Sequence, residues 1–183
     1  MTEKQSANAA ELNERVLFIN RVSKTVKGGK RFRFSILLAV GDGKGNVGIG
    51  MGKAREISEA VRKGIEDAKK DMIYVKRRGA TIPHPVLGRY GSASVLLRPA
   101  VDGTGVIAGS VVRAIMELGG VTDVMTKVVG HTSNAVNVAR ATLAAVASLR
   151  TRDEILALRG KKKAPAPEAA PEAPAAATAE ALA

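Results

Sequence analysis

Asn20-Arg21-Val22-Ser23-Lys24-Thr25-Val26-Lys27-Gly28-Gly29-Lys30-Arg31-Phe32-Arg33-Phe34 alternates cations with strand-forming residues and breaks once, at Lys27-Gly28-Gly29, where glycine supplies the positive φ of a tight reversal. The pattern predicts a β-hairpin with strands over 16–26 and 30–40. Between Arg15 and Arg55 stand ten Lys or Arg against a single acid, Asp42. Like charges on paired strands repel, so the arrangement becomes favourable when a phosphate backbone neutralises it. RNA is the expected partner.

Outward from the hairpin, a second turn over 41–46 leads to a strand over 47–51. Over 53–72 the period changes: Ile57, Val61, Ile65, Ala68 and Met72 recur every three or four residues among charged ones, which predicts an amphipathic helix covering one sheet face. The first unit therefore reads βββα and ends near Val75. Two prolines and several glycines over 81–91 predict a linker and an edge hairpin. A short strand is expected over 94–98, a loop over 99–105, helical spacing over 106–118 stopped by Gly119-Gly120, and a strand over 121–129. A last long helix is expected over 133–149, capped by Ser133 or Asn134, with Ala135, Ala139, Leu143, Val146 and Leu149 on one stripe. The second unit reads ββ-loop-βαβα. The fold class is α+β, in two small domains over 12–75 and 76–160 that depend on each other or on a partner for support because small units bury little surface. Residues 1–11 are expected to fray. The Lys161 to Lys163 run and the Ala/Pro/Glu tail over 161–183 are expected to be disordered.

Composition narrows the function. The net charge of +12 and pI near 10.3 fit a nucleic-acid binder. No run reaches the roughly 20 apolar residues of a membrane span, and no signal peptide is visible, so a cytoplasmic location is expected. The chain has no cysteine and only two histidines, His84 and His131, each alone on a loop. Neither a metal, another cofactor nor a catalytic cluster is expected. Aromatic content of 3% without Trp argues against a broad stacking platform for single-stranded bases.

Three motifs admit two readings each. Gly43, Gly45 and Gly48 form a formal GxGxxG, yet strand-like residues stand where the dinucleotide motif needs a helix, and Val47 and Ala54 break a phosphate-loop pattern. A hairpin whose glycines permit close backbone approach is the favoured alternative. Lys53 and Arg55, at the expected helix start, oppose the helix dipole; they either grip phosphate there or form solvated pairs with Glu56 and Glu59. The loop Asp102-Gly103-Thr104-Gly105 either holds an anion or lets a neighbouring chain approach closely.

Residues 20–29, Val40-Gly41-Asp42-Gly43, Val47-Gly48-Ile49-Gly50 with Gly52-Lys53-Ala54-Arg55-Glu56, residues 103–109, and Asn137-Val138-Ala139-Arg140-Ala141-Thr142 follow one another in an order that resembles the family of the fifth protein of the bacterial small ribosomal subunit. The likeness runs over about 12–163; Ala135, where the family often has Pro, and the tail depart from it. The resemblance implies a first domain similar to double-stranded-RNA-binding domains and a second with a left-handed βαβ crossover. It implies a structural, non-enzymatic role on the small-subunit 16S ribosomal RNA at the junction of head and body, beside the fourth and eighth proteins. With the third and fourth proteins the family lines the channel by which messenger RNA enters. By position, Arg21, Ser23, Lys24, Lys27, Gly28, Gly29, Lys30 and Arg31 would reach ribosomal RNA near the spectinomycin site, with Lys44, Lys53 and Arg55 as further RNA contacts. Gly103, Thr104, Gly105 and Arg113 would meet the fourth protein, where family substitutions lower decoding accuracy. Two other classes stay open: a small-molecule phosphotransferase using the glycine loops, and a free-standing regulator that binds double-stranded RNA.

Overall fold

The computed structural model describes residues 12–130 and 132–160; the expectations for residues 1–11, His131 and 161–183 lie outside them. Of the described residues, those from 12 to 151 form one compact unit and those from 152 to 160 belong to a second. In the first unit, β1 (Asn13–Val26), β2 (Gly29–Gly41), β3 (Asn46–Ala54) and β4 (Ile73–Tyr74) form an antiparallel sheet in that order, with α1 (Ile57–Ala68) between β3 and β4. The two-residue β4 is an addition to the expected βββα.

The unbroken apolar run Ile36-Leu37-Leu38-Ala39-Val40 is buried because both faces of β2 are covered. Side chains alternate across a strand. Ile36 packs with Ala54 and Ala60, and Leu38 and Val40 with Ala68, beneath α1. Leu37 and Ala39 point the other way, into the main core shared with Ile115, Met116 and Val121.

The helix expected from Lys53 begins instead at Ile57, behind the N-cap Glu56. Ser35↔Lys53 and Phe34↔Ala54 continue the β2–β3 ladder, so Lys53 is a strand residue. The buried seam of α1 is Ala60, Gly64 and Ala68, laid against Gly48, Gly50 and Gly52; a Cβ on Gly50 would stand 2.0 Å from the Gly64 carbonyl oxygen. Ile57, expected in the core, is 45% exposed, because backbone meets backbone at this seam and large side chains are pushed to its flanks.

The second domain holds β5 (Val86–Tyr90), β6 (Ala93–Pro99), β7 (Val106–Ile107), α2 (Ser110–Leu118), β8 (Val124–Val129) and α3 (Ala135–Ala147). Its sheet runs β5-β6-β8-β7 and is mixed, with β7 parallel to β8 and the other pairs antiparallel. Val106 and Ile107 thus pair as strand before the helix, and residues 121–123 are irregular, with a bend at Asp123 before β8. The α3 cap is Asn134, whose side chain accepts the Val136 N–H at 3.0 Å. Of the expected α3 stripe, Ala139, Leu143, Val146 and Leu149 are buried.

The two domains are joined by direct contacts. Besides the common core, Gly43 N–H donates to the Leu118 carbonyl at 2.9 Å, and Arg15 of β1 pairs with Glu117 of α2. The Arg77 guanidinium donates to the carbonyls of Gly120 (2.7 Å) and Lys44 (2.8 Å), one in each domain. In the second unit, α4 (Arg152–Leu158) has Asp153 and Glu154 in its first turn, favourable to its dipole.

Candidate nucleic-acid interface

Pairing of β2 with β3 stops at Phe34↔Ala54, while β1 and β2 continue from Val22↔Arg33 to Val26↔Gly29. A two-stranded arm results. At about 3.4 Å per residue, its five-residue strands project roughly 17 Å beyond the sheet. Gly28 and Gly29 turn the tip at φ +92 and +149, which other residues rarely adopt.

Directly opposed residues share a face, so the register sorts the arm's side chains. One face carries Lys24 opposite Arg31, then Arg33, continued by Lys53 across from Ser35. The other carries Arg21, Ser23, Thr25, Lys30 and Phe32, and the Arg21 guanidinium lies 4.0 Å over the Phe32 ring. All of these residues but the half-buried Ser35 are exposed, and among the described residues none of the arm's cations makes an ion pair. Lys24 and Arg31 repel by roughly 0.6 kcal/mol if about 7 Å apart in water. Nothing within the described chain offsets that repulsion.

Where β3 turns away, Arg31, Phe32, Arg33 and Arg55 line a shallow cleft of about 420 Å³. Three planar guanidinium groups there suit the oxygens of a phosphate. Lys53 and Arg55 therefore join the site through strand register and the bend before Glu56, and not through the α1 N-terminus, one of the two readings left open; that end carries Glu56 and Glu59. Arg33 is the functional candidate that the sequence-based set omits, although its position opposite Val22 follows from the turn.

Lys44 is not brought to the arm. It stands at the opposite end of β2, some 40 Å from the tip at about 3.3 Å per residue. There its N–H donates to Asp42 Oδ1 at 2.7 Å and its carbonyl accepts from Arg77. Burial pushes the Asp42 carboxyl up, but hydrogen bonds from the Asn46 side chain and from the N–H groups of Lys44, Asn46 and Gly45 outweigh it and hold it below the usual range. Most of the glycines from 41 to 52 serve close packing, those of β3 facing α1 and Gly41 abutting Leu118, while Gly43 and Gly45 turn the chain at φ +67 and +131. His84 is likewise structural, its Nε2 accepting the Arg150 N–H at 3.0 Å while Nδ1 faces the Pro85 carbonyl.

The second set, Gly103, Thr104, Gly105 and Arg113, lies together in the second domain. Thr104 closes the loop through N–H and Oγ1 bonds to the Val101 carbonyl at 3.1 and 2.6 Å. Arg113 donates to the Val106 carbonyl at 2.9 Å. Asp123, 5% exposed, holds the loop from beneath: Oδ1 accepts the Gly105 N–H at 2.8 Å and Oδ2 the Thr122 hydroxyl at 2.9 Å. The Gly105 N–H, then the Thr122 hydroxyl, hold the Asp123 carboxyl below its ordinary range against desolvation, with help from the N–H groups of Gly103 and Thr104. Sequence reading misses Asp123, whose one signal is an acid inside the apolar run 121–129.

Among the described residues, no helix is long and apolar enough to cross a membrane. A family model described as Ribosomal protein S5, N-terminal domain, matches residues 12–76. A second, described as Ribosomal protein S5, C-terminal domain, matches residues 88–159. Together they take in both sheets, the arm and the Gly103–Arg113 region.

Proposed function

Because the chain belongs to the ribosomal protein S5 family, we propose that it is a structural, RNA-binding constituent of the small ribosomal subunit, with the β1–β2 arm docking on ribosomal RNA. As a ribonucleoprotein component of the translation machinery it works in the cytoplasm and carries no catalytic residue. Lys24, Lys27, Lys30, Arg31, Arg33, Lys53 and Arg55 neutralise phosphates, while Arg21, Ser23, Gly28 and Gly29 shape the arm that reaches them; Lys44 contacts RNA only at the far end of the sheet. The loop of Gly103, Thr104 and Gly105, with Arg113, meets the fourth small-subunit protein, and the eighth packs nearby. Through that contact the protein bears on decoding accuracy and on the channel that messenger RNA enters beside the third protein.

The observation that carries this reading is an arm of mutually repelling cations that, among the described residues, have no ion-pair partner and no third strand beside them. Its test is the salt dependence of binding to protein-free small-subunit ribosomal RNA. Each phosphate neutralised on duplex contributes a slope of about 0.9 in log K against log salt. Lys24→Ala with Lys27→Ala should flatten the slope by about 1 to 2 units. An unchanged slope would show that the arm does not touch RNA.

A further inference from the structure

The two faces of the arm differ in chemistry, and we infer that they divide RNA recognition between them: Lys24, Arg31, Arg33 and Lys53 take phosphates, while the Arg21–Phe32 stack takes an unpaired nucleobase. This rests on the arm docking on RNA.

A surface that only neutralised phosphate would have no use for a half-exposed aromatic ring, yet Phe32 is 45% exposed and Ile19, on the same face, 48%. The Arg21 guanidinium lies over the Phe32 ring, its Cζ 4.0 Å from the ring centroid, and Arg21 is itself exposed to a ligand. A guanidinium held in this way is pre-organised for stacking, because its side-chain freedom is already restricted. Bases splayed from RNA stack on arginine planes as well as on aromatic rings. Ser23 and Thr25, on the same face, carry hydroxyls that donate to and accept from base edges or a ribose 2′-OH.

The opposite face has no aromatic ring along its outer part. Its exposed apolar residues, Phe18 and Val22, lie toward the arm's base, and Lys24, Arg31 and Arg33 dominate its outer part. Low aromatic content does not contradict a base contact, since composition averages over the chain while the register sets one ring beside one guanidinium. The ligand is therefore RNA in which a duplex adjoins an unpaired base. Bases inside an A-form duplex are stacked on one another and offer no free face.

The full chain is titrated against two RNA hairpins that differ by one bulged 2-aminopurine in an otherwise paired stem. Wild type should prefer the bulged RNA and change its fluorescence. Arg21→Lys keeps the charge but loses the plane, and should weaken binding to the bulged RNA by about tenfold, remove the fluorescence change and leave the salt slope unaltered. Phe32→Leu, which keeps an apolar cross-strand contact without the ring, should do the same. Lys24→Ala with Arg33→Ala should flatten the slope on both RNAs and keep the preference. If the wild type has no preference, or Arg21→Lys retains it, the stacking inference fails while a flattened slope still supports docking. If the Lys24/Arg33 variant keeps the wild-type slope, docking itself fails.

Discussion

Gly52→Ala tests the seam on which the first domain depends. A Cβ there would stand 1.7 Å from the Ala60 carbonyl oxygen, 2.7 Å from its carbon and 2.8 Å from the Gly64 nitrogen. All three are α1 backbone atoms, so no side-chain rotation relieves the clash. Restoring ordinary contact at 3.4 Å requires α1 to lift by about 1.7 Å. A gap of even 0.5–1 Å forfeits a quarter to a half of the dispersion energy of facing atoms, and Ala60 and Ala68 would draw away from Ile36, Leu38 and Val40. With overpacking alone costing about 1–3 kcal/mol, a loss of about 3 kcal/mol is expected, or roughly 6–12 °C in Tm for a unit of this size. Gly64→Ala is the matched comparison, because its Cβ would meet the far end of the Leu38 side chain at 2.7 Å, which can give. It also replaces a helix-interior glycine, a gain of about 1 kcal/mol. Thermal melts followed by circular dichroism should rank Gly52→Ala well below Gly64→Ala. A Gly52→Ala protein melting within a degree of wild type, or above Gly64→Ala, would refute the close-approach argument.

Two other perturbations probe the joints around the candidate sites. Arg77→Ala removes both guanidinium bonds across the domain seam; at about 1.5–3 kcal/mol for each charged bond, less what water restores, a loss of about 3 kcal/mol is expected in urea titration. Arg77→Lys should recover part of it, and a loss below about 1 kcal/mol would mean that the bridge is incidental. The depressed Asp123 carboxyl contributes stability that is complete above the unfolded value near pH 4 and is lost as pH falls through the lower folded value, because the unfolded chain then binds more protons. Asp123→Asn should therefore flatten the acid limb of stability against pH, only in part because Asp42 is shifted the same way; an unaltered limb would refute the assignment.

Legibility in the sequence followed chain distance. The hairpin was readable because alternation and the Gly-Gly turn are local, and the turn fixes Lys24 opposite Arg31. The run at 36–40 was legible as strand, but that both its faces are covered depends on a domain some 75 residues further on, in Ile115 and Met116. The α1 start was misread because its buried seam consists of Ala60, Gly64 and Ala68, while Ile57 and Met72 carry the hydropathy signal without forming that seam. The strands Ile73–Tyr74 and Val106–Ile107 exist only through their partners and leave no local trace. For the sites, the sequence supplied the candidate cations but not their grouping: register unites Lys53 and Arg33 with the arm and sends Lys44 to the other end. Asp123 was hidden because its value lies in reaching a loop 18 residues away.

The contrast between arm and body explains why the charge is tolerable. A lone two-stranded hairpin is at best marginally stable in water, and this one adds repulsion across Lys24 and Arg31. What holds it is continuity with β1 and β2 inside the body, where Ile36 to Val40 are buried on both faces, together with the Arg21–Phe32 contact, worth about 0.5–1 kcal/mol at an exposed site. The same cations guard the arm's open edge, where an uncharged strand would invite pairing with another copy. The body thus carries the cost of an arm that has little stability of its own, and an anion docking there removes the repulsion while supplying what the absent third strand would have given. Repulsion in the free chain and affinity for a polyanion arise from one arrangement of residues.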